Sequence, residues 1–154
     1  PFIKVAGFTE FMDAVKQFIN DSRYRVPIKK EMEEYDLIID CTADNDVAFI
    51  LESLSISSDI INLSVTNSAE ELMCVVNPNL YDRLIHISTI LHKDQDDLYN
   101  PVGCWSPTFR ASYNDIAVLV QFALKNINVT FEKGNPLRSF YLKSDGLNIK
   151  TQQF

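Results

Sequence analysis

The residues with the most chemical scope fall in two short strings, Asp40-Cys41-Thr42-Ala43-Asp44-Asn45 and Gly103-Cys104-Trp105. The first closes an apolar run, Asp36 to Thr42, that reads as a central strand covered on both faces. Val47, Ile50, Leu51 and Leu54 then repeat at helical spacing. Asp44 thus stands between the end of a strand and the start of a helix. Ligands of α/β sheets gather at the carboxyl ends of strands, so a carboxylate there can hold a magnesium ion or a nucleotide hydroxyl. Its plain role is to cap the helix, since aspartate readily accepts a bond from the orphan backbone amides. Asp40 lies inside the apolar run, where an unpaired carboxylate is costly, so it must sit at the strand's end or be hydrogen-bonded.

In the second string, Cys104 is a candidate nucleophile. A reactive thiolate needs exposure and a positive environment, which Arg110 and the helix start near Ser112 can supply, while Trp105 can anchor the loop. The plain alternative is a buried, idle thiol. Cys41 and Cys74 lie in apolar runs and read as core residues. The three cysteines are too few and too far apart for a disulfide framework or a Cys-x-x-Cys zinc clip. His86 reads as a packed or partly exposed helix residue, and His92 opens a long loop with nothing to pair it with Cys104. Asp94, Asp96 and Asp97 lack the glycine and distal glutamate of a calcium loop and read as a solvated acidic stretch. With glycine only at positions 7, 103, 134 and 146, the chain carries no dinucleotide fingerprint and no Walker loop.

The elements that must position these groups alternate. Residues 2–6 read as a short strand, followed by a helix capped by Thr9 and ending near Asp21. The charged segment 22–35, broken by Pro27, is a connection with room for a short helix. Two apolar runs, Asp59 to Val65 and Leu72 to Pro78, flank a turn-like segment, and Leu80, Leu84, Ile87 and Leu91 follow at helical spacing. From His92 to Ala111 there is no periodicity. Ser112 then caps a helix with Ile116, Leu119, Val120, Ala123 and Ile127 on one face, and Asp145-Gly146 between alternating runs signals a C-terminal β-hairpin. This order predicts an α/β layered architecture with at least part of the sheet parallel.

Composition bounds the rest. At 154 residues and 46% hydrophobic content, the chain is a single domain or a large piece of one. A net charge of −7 with no basic run disfavours nucleic acid as a partner. No apolar run approaches the roughly 20 residues that span a bilayer, and the opening residues lack a secretion signal, so the expectation is a cytoplasmic protein with no membrane partner.

Three strings together, Asp36 to Asp46, Ile61 to Pro78 and Gly103 to Ile127, resemble the latter half of the ThiF/MoeB adenylyltransferases, relatives of ubiquitin-activating enzymes. The final string is most similar to the activating portion of fused bacterial conjugating/activating proteins. The resemblance spans about two thirds of the chain. It implies a Rossmann-like layered sheet with flanking helices, the C-terminal portion of an adenylyltransferase fold. It also implies ATP- and magnesium-dependent activation of the carboxyl terminus of a ubiquitin-like or sulfur-carrier protein, with transfer to a cysteine as a thioester. In this sequence Asp44 matches the family's magnesium-binding aspartate, Asn45 its nucleotide-binding neighbour, and Cys104 the acceptor thiol. Ala43 is an extra residue in the matching string. The glycine-rich nucleotide loop and its basic residues have no counterpart, nor do the family's zinc-binding Cys-x-x-Cys pairs, so the chain reads as a fragment or truncated relative lacking the N-terminal nucleotide-binding part. Alone it should bind no nucleotide tightly; a homodimer is compatible with the resemblance. Two rivals remain at this level: a noncatalytic α/β interaction or dimerisation module, and the back half of a nicotinamide-dependent oxidoreductase.

Overall fold

A computed structural model of the chain describes Asp13, Arg23 and residues 25–42, 44–66, 68–91, 111–145 and 147–154. The expected first strand and helix, His92, the acidic stretch and Cys104 lie outside the described residues, as do Ala43 and Gly146.

The described chain is an α/β structure built on one five-stranded mixed sheet. Helix α1 (Arg25–Met32) leads to β1 (Leu37–Asp40), α2 (Asn45–Ser53), β2 (Asp59–Val65), β3 (Glu71–Val76), α3 (Leu80–Leu91), α4 (Tyr113–Glu132) and the hairpin β4 (Phe140–Ser144) with β5 (Ile149–Gln153). The strands lie in sequence order, β1-β2-β3-β4-β5. Only β1 and β2 are parallel, joined by the crossover through α2, with Asp40 opposite Asn62. Every other neighbouring pair is antiparallel. The expected partly parallel sheet and C-terminal hairpin are both present.

Alternation along the strands divides the core in two. On one face Ile60, Met73 and Val75 pack against Val47, Ala48 and Leu51 of α2 and Leu80, Leu84 and Ile87 of α3, with Ile28 and Met32 of α1 at the margin. On the other, Ile61, Leu63, Leu72, Cys74, Phe140 and Leu142 pack against Leu119, Ala123 and Ile127 of α4. Odd and even positions of a strand thus serve different helix layers. All six residues of β3 are buried, as a central strand covered on both faces requires.

The central position expected of the run Asp36 to Thr42 falls instead to β2 and β3. Among the described residues β1 is the outermost strand on its side and only four residues long. Helix α4 packs chiefly on β3 and β4, and Ile39, on that face of β1, is 42% exposed. The ladder also stops at Asp40. Cys41, one residue further, is exposed rather than in the core, while Cys74, within β3, is fully buried as expected.

The helix ends follow their local chemistry. Pro27 sits in the first turn of α1, where its missing N–H breaks no helical bond. Lys29 Nζ donates to the Ser55 carbonyl at 2.8 Å and Glu33 accepts from Ser57 N–H, tying α1 to the turn after α2. Ser112 caps α4 in a reciprocal capping box with Asp115, as the sequence predicts. At the far end Gly134, at φ +63°, donates to Phe131 O, and Asn135 N–H reaches Thr130 O, which closes the last carbonyls of the helix in a Schellman arrangement. No helix among the described residues is long and apolar enough to cross a membrane.

Candidate functional site

The site grows from the carboxyl end of the one parallel pair. Asp40 closes β1 and is only 5% exposed, yet its carboxylate is fully engaged. Oδ1 accepts from the Thr42 backbone N–H at 2.9 Å and from the Thr42 hydroxyl at 2.7 Å. Oδ2 accepts from Asn62 Nδ2 at 2.7 Å. Asn62 is itself completely buried, and its Oδ1 accepts from the Ser64 hydroxyl at 2.6 Å. Both of the placements open to Asp40 on sequence grounds therefore hold: it ends the strand and it is hydrogen-bonded. Three donors fill most of the carboxylate's roughly four acceptor sites, which offsets a burial that would otherwise be costly.

Asp44 follows as the N-cap of α2, with extended backbone (φ −120°, ψ 117°) and its Oδ1 accepting from Asp46 N–H at 2.8 Å. Its own backbone N–H points to Thr42 Oγ1 at 3.4 Å. Thr42 is therefore a bridge, donating its hydroxyl proton to Asp40 and accepting from Asp44. Oδ2 of Asp44 takes no hydrogen bond among the described residues. Asn45 is the first residue of the helix and is half-buried beside the cap. Asp44 and Asn45 are thus together at the strand-to-helix junction; Cys104 lies outside the described residues.

Of the candidate groups, Asp44 alone combines partial exposure with a carboxylate oxygen left for a ligand, at the positive end of a helix. Both oxygens of the buried Asp40 already accept from protein donors. No group of three or more His, Cys, Asp or Glu side chains among the described residues could enclose a metal ion. This donor set fits magnesium, which keeps most of its waters and is commonly bound through one or two carboxylates plus substrate phosphates. It does not fit a structural metal, which the protein must surround.

Cys41 brings a thiol to the same corner. Partial desolvation, and then the charge of the adjacent Asp40, push that thiol above its ordinary value. A neutral thiol beside a carboxylate is a poor nucleophile, so exposure alone does not make Cys41 reactive. Cys74 is pushed up to about 12 by burial. His86 is exposed on α3, in keeping with its reading as a helix residue.

Asn62, Ser64 and the exposure of Cys41 were not read from the sequence. The available signal was two polar residues, two apart, in the otherwise apolar β2 run: with period-two alternation they share a face, and Asn62 meets Asp40 across the parallel pair while Ser64 bonds to Asn62. Elsewhere, α2 and α3 form a groove of about 210 Å³ lined by Phe49, Glu52, Ser53, Tyr81 and Asp82. There Phe49, 57% exposed, meets Tyr81 edge-on with ring centres 5.5 Å apart, and Glu52 accepts from the Tyr81 backbone N–H at 2.9 Å. No protein-family model matches the chain, and no curated protein matches its sequence.

Proposed function

We propose that this chain is the C-terminal part of a ThiF-like adenylyltransferase with a Rossmann-like layered sheet, which activates the carboxyl terminus of a ubiquitin-like or sulfur-carrier protein with ATP. Asp44 is the magnesium-side carboxylate, Asn45 its nucleotide-facing neighbour, and Cys104 the acyl acceptor. The observation that carries this reading is the position of Asp44: four residues past the carboxyl end of the parallel pair, at a helix N-terminus, with Oδ2 taking no hydrogen bond among the described residues. Bound magnesium would neutralise charge on the phosphates of ATP. The substrate carboxylate attacks the α-phosphate and displaces pyrophosphate. The Cys104 thiolate then attacks the acyl carbon and releases AMP, leaving a thioester. Asp44 orients the charge-bearing end of the nucleotide, and the N-cap bond from Asp46 holds the carboxylate in one rotamer. The phosphate cradle and its basic residues come from outside this sequence.

The test is ATP–pyrophosphate exchange by the full-length protein. Asp44→Ala should lose exchange by about a hundredfold or more, as removal of a group stabilising developing charge does. Cys104→Ala should retain exchange and lose the thioester. Exchange unaffected by Asp44→Ala removes the reading.

A second reading, a noncatalytic interaction module, is favoured by one observation, the exposed Phe49 over Tyr81 with Glu52 and Asp82 around it. It requires no nucleotide chemistry, and Phe49→Ala would then abolish partner capture while Asp44→Ala leaves it intact.

A further inference from the structure

The geometry points to Asp40 and Thr42 as positioning residues for Asp44, a role that rests on the adenylation reading above. An N-cap aspartate needs only the N–H of the helix's first turn to fulfil its capping role. Here the turn that carries it is also fastened from behind. The chain of bonds starts in the buried interior at Asn62, passes to Asp40 Oδ2 (2.7 Å), leaves Oδ1 through the Thr42 hydroxyl (2.7 Å), and ends at the Asp44 backbone N–H (3.4 Å). Two strands and the helix start are thereby joined by side chains rather than by the sheet ladder, which stops at Asp40.

The distribution of burial argues for a positioning role. Asp40 and Asn62 are buried polar residues in a layer whose preceding strand positions, Ile38 and Ile60, are apolar, with the part-buried Ser64 bonded to Asn62 on the other side. Apolar residues of similar volume would pack there without requiring partners, since a buried charge seldom adds net stability over a well-packed apolar side chain. What the polar set does add is direction. It fixes the backbone at Thr42 and Asp44, and so the position from which the Asp44 carboxylate projects. Groups that orient a metal-side ligand change metal affinity by about 10- to 100-fold when removed.

The decisive variant is Thr42→Val, which keeps the shape of the side chain and removes the hydroxyl, compared with Thr42→Ser, which restores it. Two quantities are read in the full-length protein: the magnesium concentration at half-maximal ATP–pyrophosphate exchange, and hydrogen exchange at the Asp44 and Asp46 amides without nucleotide. Thr42→Val should raise the magnesium half-saturation by about tenfold and speed exchange at the Asp44 amide, with Thr42→Ser close to the parent in both. Parent-like magnesium dependence in Thr42→Val, with nucleotide exchange present, overturns the positioning role alone. So does unaltered protection of the Asp44 amide. Absence of pyrophosphate exchange from the parent overturns the adenylation reading and the positioning role with it.

Discussion

The Asp40 carboxylate, held by three donors, shows how a single side chain can have structural consequences out of proportion to its size. Asp40→Ala removes the acceptor and leaves the buried Asn62 amide without its partner, so urea unfolding should report a loss of about 3 kcal/mol. The cysteines make a second case. Cys74 is pushed up to about 12 by burial, whereas in an unfolded chain it returns to its ordinary 9.0. Between those values the folded chain holds a proton that the unfolded chain has released, so stability is intact below pH 9 and falls as pH rises toward 12. The parent should lose stability faster than Cys74→Ala across that window in pH-dependent denaturation. Below it, a thiol reagent should modify Cys41 in the native protein only slowly, because its exposed thiol is held neutral, and reach Cys74 only on unfolding.

Among the elements, those with strong periodicity and a marked start were the legible ones. Ser112 with Asp115 three residues on, and a five-position apolar stripe behind them, identify α4 without tertiary help. Ser112→Ala should cost about 1 kcal/mol in thermal or urea unfolding, the usual loss of a cap. The hairpin was equally visible. Asp145 accepts from the backbone N–H groups of Asn148 and Leu147, and these bonds hold its carboxyl below the usual carboxylate range. Its contribution is present above the ordinary aspartate range and is lost as pH falls through the depressed value. Amide exchange across β4 and β5, measured against Asp145→Ala, should show that fastening loosen in acid.

What the strings left unread has a physical cause. The composition of β1 is that of a strand with two covered faces, but cover depends on where α4 lies, and α4 is over seventy residues away in the chain. The same applies at the site. Asp44 is legible because capping is local, whereas the pairing of Asp40 with Asn62 depends on the register of β1 against β2, which no short window contains. Cys41 was misread for a related reason: its apolar neighbours suggest burial, but the ladder ends one residue before it.

At the largest scale, the described residues form two cores separated by one sheet, each with its own helix layer. Ile87 and Ile127 belong to opposite cores and are not members of one cluster. Ile87→Val and Ile127→Val should each cost about 1 kcal/mol. In the double variant the two losses should add to within about 0.5 kcal/mol, because the sites share no partners. A larger discrepancy in equilibrium unfolding would mean that strain crosses the sheet.

The position of β3 has a consequence during synthesis. One of its edges pairs with β2, close by in sequence, but the other waits for β4, with Glu71 opposite Lys143. Until that hairpin has left the ribosome, a six-residue strand that is apolar from Leu72 to Val76 presents an open row of amides and carbonyls. Such an edge recruits other chains. Nascent or prematurely terminated polypeptides that stop before Phe140 are therefore the form of this protein that chaperones must guard, and their insolubility should vanish once the final two strands are supplied.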